Sequence, residues 1–63
     1  MMSKTPNYVK IKTGRVENVN NRIVFVADRQ YYIIPFNLYE FSMLNKQITC
    51  EVNDFTKVVT KVI

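Results

Sequence analysis

RIVFVADRQYYIIPF, residues 22–36, decides how the rest of the chain is read. Two runs of branched and aromatic residues flank Asp28-Arg29. Such side chains suit a pleated sheet, and Asp tolerates the left-handed backbone of a tight turn. The stretch therefore predicts a hairpin with strands over about 22–28 and 30–36. Pro35, which cannot donate to a ladder, belongs near a strand end. A two-residue turn pairs Val26 with Tyr31, Phe25 with Tyr32 and Ile23 with Ile34. One face then carries Val24, Val26, Tyr31 and Ile33; the other carries Ile23, Phe25, Ala27, Tyr32, Ile34 and Phe36. Both faces are apolar, and the adjacent tyrosines point to opposite sides, so they do not form one stacking platform.

Working outward, the same β character extends along the chain. Valine occurs nine times and isoleucine six, against two leucines and one alanine. Before the hairpin, Val9 and Ile11 alternate with Tyr8, Lys10 and Lys12, which predicts a strand over about 8–18. Gly14 interrupts that alternation, as at a bulge or sharp bend, and Val16 resumes the apolar face. Asn18, Asn20 and Asn21 make the next turn. After the hairpin, Asn37 reads as a helix N-cap with Glu40 three positions on. Leu38, Phe41 and Leu44 follow at helical spacing. One short helix over about 37–44 is expected, plugging one end of a barrel and stopped by Asn45. Strands over about 47–53 and 56–63 complete the chain, with Ile48, Cys50 and Val52 inward. Residues 1–7 have no periodicity and read as a flexible arm. The expectation is one mainly β domain, a five-stranded small barrel over 8–63.

GRV-x-x-V (14–19) ahead of a hairpin, LNKQITCEV (44–52) after a short helix, and TKVVTKVI at the end resemble the layout of minimal OB-fold and SH3-like barrels. The resemblance is one of layout, over about residues 8–63. It implies binding of oligonucleotides or proteins through strands two and three and the neighbouring loops. Folds of this kind host many functions.

Length and composition bound the rest. A chain of 63 residues buries only about 60% of its unfolded surface. Small domains commonly need a staple or a partner. The single cysteine, Cys50, allows no intrachain disulfide, and with no histidine the common zinc sites lack ligands. Self-association is therefore expected. No apolar run approaches the roughly 20 residues that span a bilayer. MMSKTPNY has no signal-peptide apolar core. With one unpaired thiol, the expected location is cytoplasmic.

The residues argue against catalysis. No histidine serves as a base near neutral pH, and no glycine-rich loop cradles phosphate. Asp28, Glu40, Glu51 and Asp54 fall at turn, cap and outward positions, and Cys50 reads as a buried, inert thiol. No enzyme activity, cofactor, metal or membrane partner is expected.

The net charge is +4, which leans toward polyanions. Lys10 and Lys12 project from one face of the first strand, and Lys57 and Lys61 from one face of the last. With Arg15 they are the candidate nucleic-acid surface. Lysines on exposed strands also block edge-to-edge aggregation, which is the plainer role for each taken alone. Compact branched residues suit a narrow interior, so Val24, Val26 and Ile33 are assigned inward. Phe25, Tyr32, Ile34 and Phe36 then face a partner. That face has aromatics and no cation, which fits a protein contact such as a homo-oligomer. Two functions follow. One is a non-enzymatic, self-associating module that binds nucleic acid through its lysine-rich strands. The other is a small adaptor or inhibitor, of phage type, that binds a host protein through the hairpin.

Overall fold

The computed structural model describes residues 8–63; the expected arm, residues 1–7, lies outside the described residues. The elements are β1 (Val9–Val19), β2 (Arg22–Ala27), β3 (Gln30–Ile33), two 3-10 turns (Phe36–Leu38 and Phe41–Met43), β4 (Gln47–Asn53) and β5 (Val58–Val62). Hydrogen bonds join the strands in a closed ring, β1-β2-β3-β5-β4. The chain is mainly β, a small five-stranded barrel. All neighbours are antiparallel except β3 and β5, which run parallel and meet at one register pair, Ile33 with Val58.

The long first strand makes closure possible. β1 pairs with β4 from Val9 to Arg15 and with β2 from Arg15 to Val19, so Arg15 is the residue that touches both partners. Gly14 sits one step before this handover. A Cβ there would lie 2.1 Å from the Val26 carbonyl oxygen and 2.8 Å from the Ala27 Cβ. Glycine is needed for space, because β2 coils directly over β1 at this point. No bulge forms at Gly14: the β1–β4 register continues through Gly14 opposite Ile48. Strand parity is therefore kept. Val16 shares its face with Gly14 and Lys12, while Val9 and Ile11 point outward at 45% and 59% exposure. The expectation that Val9 and Ile11 form the apolar inner face is corrected by this unbroken alternation.

Turn chemistry follows the asparagines and aspartates. Asn20, Asn21 and Asp28, Arg29 all have positive φ, the pattern of type I′ hairpin turns. The hairpin register matches the expectation: Phe25 opposes Tyr32 and Val26 opposes Tyr31. β3 stops at Ile33, two residues before Pro35. Between β4 and β5, the Asn53 side-chain oxygen accepts from the Phe55 and Thr56 backbone N–H groups, both at 2.9 Å. That is an Asx turn, which reverses the chain without glycine.

The expected single helix over 37–44 does not form. Tyr39 and Glu40 are extended, which splits the segment into two 3-10 turns, and Pro35 precedes the first with no side-chain cap. Asn37 lies inside the first turn and is not a cap. So short a segment gains little from helix propagation after a costly nucleus. The split instead lets Leu38, Tyr39, Met43 and Leu44 all pack against the core. Asn45, at φ 64°, ends the segment. Phe41 is left 82% exposed.

The core consists of Val16, Phe25, Ala27, Tyr32, Ile34, Cys50, Val52 and Val59. Two rings, Phe25 and Tyr32, lie 6.1 Å apart between centroids, and small or branched residues surround them. Close packing of a five-stranded ring needs such bulk at its centre. Among the described residues, no helix is long and apolar enough to cross a membrane.

Candidate nucleic-acid interface

The faces of the hairpin are exchanged relative to the sequence-based assignment. Phe25 and Tyr32 are fully buried and Ile34 is nearly so; of the four expected partner-facing residues only Phe36 is exposed, at 94%. The pairing of Phe25 with Val16 imposes this choice, since both must share the interior side. Val26, Tyr31 and Ile33 consequently turn outward, while Val24, on the same side of β2, is itself covered, in keeping with its inward assignment from sequence. Compact side chains alone would leave the centre of the ring underfilled, and that is why shape preference pointed to the wrong face.

The second apolar face expected of the hairpin does exist, with these other members. Across the outer surface, Arg15, Val26 and Tyr31 stand side by side, and Glu17, Val24 and Ile33 form the next row. Tyr31 and Ile33 are 60% and 58% exposed. Arg22, opposite Val19, closes the end of β2. Beside it opens a pocket of about 370 Å³, lined among others by Asn21, Arg22, Val24, Ile33, Phe36 and Tyr39. Exposed aromatic and aliphatic surface is thus flanked by two guanidinium groups.

The five expected phosphate-binding residues do not converge on one stripe. Lys10 and Lys12 oppose Val52 and Cys50, so they lie on the interior side of β1, at the barrel mouth. The Lys12 ammonium pairs with Asp28. The Asp28 hydrogen bond holds the Lys12 pKa above its ordinary value. Lys57 is in the β4–β5 turn. It donates to Asp54 at 3.0 Å and to Gln30, and lies 5.4 Å from the Tyr32 ring centre. Lys61 faces outward from β5, opposite Glu51. Arg15 also faces outward, and its Nη2 donates to the Asn45 carbonyl at 3.3 Å. Two of the five cations are thereby matched by carboxylates, and Lys61 is on the other side of the sheet from Lys10 and Lys12.

The mouth cluster is a structural network. Tyr32 Oη donates to Asp54 Oδ1 at 2.7 Å. That bond, then the one from Lys57, holds the Asp54 carboxyl below its usual range. Burial, reinforced by Asp54, pushes the Tyr32 phenol up to about 12. Burial also raises the Cys50 thiol, which is fully covered between β1 and β5. A protonated, covered thiol is a poor nucleophile. Among the described residues, no group of three or more acidic or cysteine side chains gathers as metal ligands.

Tyr31, given no ligand role by the sequence reading, and Arg22, which that reading set only beside the lysine stripe, both stand at this outward surface. The signal for them was the parity linking Val16, Phe25 and Tyr32, which requires the β1–β2 register. The fold and this face together define a small β-barrel with an exposed sheet surface of aromatic, aliphatic and cationic side chains. Comparison of the chain with protein-family models, curated proteins and solved structures gave no significant match.

Proposed function

We propose that this protein is a non-enzymatic binding module of the OB type that takes single-stranded nucleic acid across the outer face of β1, β2 and β3. The observation that carries the reading is the row Arg15, Val26, Tyr31, which puts a cation and an exposed ring on one outward surface. Arg22 and Phe36 extend that surface. Bases stack on aromatic faces while cations track phosphates, so neither a sequence motif nor a catalytic group is needed. The ring order, with β1 paired on both sides and β3 parallel to β5, favours the OB alternative over the SH3-like one. In OB-folds the face of strands two and three is the usual ligand surface. The net charge of +4 favours the same class of ligand.

Fluorescence anisotropy with labelled oligo-dT and a matched duplex, at low and moderate salt, tests the reading. The single strand should bind more tightly, with affinity falling as salt rises. Tyr31→Ala should weaken binding roughly five- to a hundredfold. Failure of the wild-type protein to bind at low salt removes the reading.

A second reading is favoured by the 94% exposure of Phe36 beside an apolar pocket. The same face would then contact protein: a host partner in the manner of an adaptor or inhibitor, or a second copy of the chain. Sedimentation across a concentration series separates self-association from nucleic-acid binding. Loss of oligomer on Phe36→Ser, with the fold retained, would support this reading.

A further inference from the structure

Among the described residues, six other than glycine adopt positive φ: Asn20, Asn21, Asp28, Arg29, Asn45 and Lys57. Asn and Asp tolerate this region because their short side chains bond locally. Lys57 is exceptional in type, but its ammonium is held by Asp54, Gln30 and the Tyr32 ring. Arg29, at φ 62°, has neither excuse. Its side chain is exposed, and among the described residues it has no hydrogen bond, ion pair or ring contact. It fills the second central position of a type I′ turn, where glycine is strongly preferred. The adjacent carboxylate does not serve it either, since Asp28 is engaged by Lys12. A strained residue with no partner in its own chain is where a binding role is sought.

Its place in the fold says which role. Arg22 begins β2, and Arg29 lies in the turn that follows it, so the two stand at opposite ends of the hairpin. Tyr31 and Arg15 lie between them on the outward face. At about 3.3 Å per residue the arginines span roughly 20 Å, room for a segment near the short end of OB-fold site sizes, about four nucleotides. We propose that Arg29 is a phosphate-contact residue, and that a single strand runs along the hairpin axis from Arg22, over Tyr31, to Arg29. The inference rests on the nucleic-acid reading given above and adds the path of the strand and the residue that ends it.

The test compares wild type, Arg29→Gly, Arg29→Lys and the loop control Lys46→Ala, by thermal unfolding and by anisotropy with oligo-dT of eight nucleotides at several salt concentrations. Arg29→Gly relieves the turn, so its unfolding midpoint should rise. Its affinity should nevertheless fall roughly three- to tenfold, and the slope of log affinity against log salt should shrink by about one. Arg29→Lys should keep most of the affinity, while Lys46→Ala should change affinity less than about twofold. Wild-type binding with Arg29→Gly unchanged in affinity and slope would overturn this inference alone. A lower midpoint in Arg29→Gly would also overturn it, by revealing an intramolecular role. Absence of binding by the wild type overturns both this inference and the reading beneath it.

Discussion

The Tyr32 hydroxyl, carried by a fully buried ring of β3, donates to Asp54 in the β4–β5 turn at 2.7 Å. It ties together two elements whose strands share only one register pair. The bond is a side-chain clasp on the weakest seam of the ring.

Two limbs of the pH–stability profile should report this clasp. Asp54 has a depressed pKa through Tyr32 and Lys57. Its contribution is present above the ordinary aspartate value and is lost as pH falls toward its folded value. Tyr32 has a pKa raised from 10.0 to about 12, so its contribution is full below 10.0 and lost as pH rises toward about 12. Tyr32→Phe should lower the midpoint at neutral pH by a few degrees and flatten the alkaline limb. Asp54→Asn should flatten the acid limb. Thermal unfolding at stepped pH measures both, and wild-type slopes retained in the variants would contradict the assignment.

Gly14→Ala should be among the most damaging single substitutions. The added methyl meets the Val26 carbonyl oxygen at 2.1 Å, and the strand backbone must shift to admit it. A loss of about 3 kcal/mol is expected, read by urea or guanidinium unfolding. A variant as stable as wild type would show that β1 and β2 do not cross so closely.

The exchange of hairpin faces separates two substitutions of similar appearance in sequence. Phe25→Ala empties the barrel centre and should cost about 3–5 kcal/mol, enough to unfold many domains of this size. Ile33→Ser lies on the outer face and should change stability by less than about 1 kcal/mol. Denaturant titration of the pair distinguishes the registers, because a one-residue slip reverses the order.

Binding should depend on Arg15 more than on Lys61. Arg15 adjoins the Tyr31 row, whereas Lys61 faces outward from β5 opposite Glu51. Arg15→Ala should weaken oligo-dT binding about three- to tenfold, and Lys61→Ala less than about twofold. Equal losses would favour a diffuse field of positive charge over a defined track.

Much of the architecture was legible in the chain because it is local. The Asp28-Arg29 turn, the pairing of Phe25 with Tyr32 and the span of β4 all follow from turn residues and period-two alternation. The helix was not legible, since Leu38, Phe41 and Leu44 do recur at helical spacing. Propensity over so short a segment yields to whichever backbone buries the most. Two 3-10 turns bring Leu38, Tyr39, Met43 and Leu44 half-buried against the core at once.

The sequence by itself determined a β-rich ring closed with asparagine and aspartate turns, a hairpin apolar on both sides and a positive charge. Only the tertiary structure decided which side is the core. An alternating strand is symmetric until another strand pairs with it, and here Val16 against Phe25 breaks the symmetry. The same step sent Tyr31 outward beside Arg15 and matched Lys12 with Asp28, whereas Lys57 meets Asp54 three residues away within the β4–β5 turn. Which cations remain for a ligand is a property of how distant strands meet, because ion pairs between residues 16 apart, such as Lys12 and Asp28, are set by register and closure.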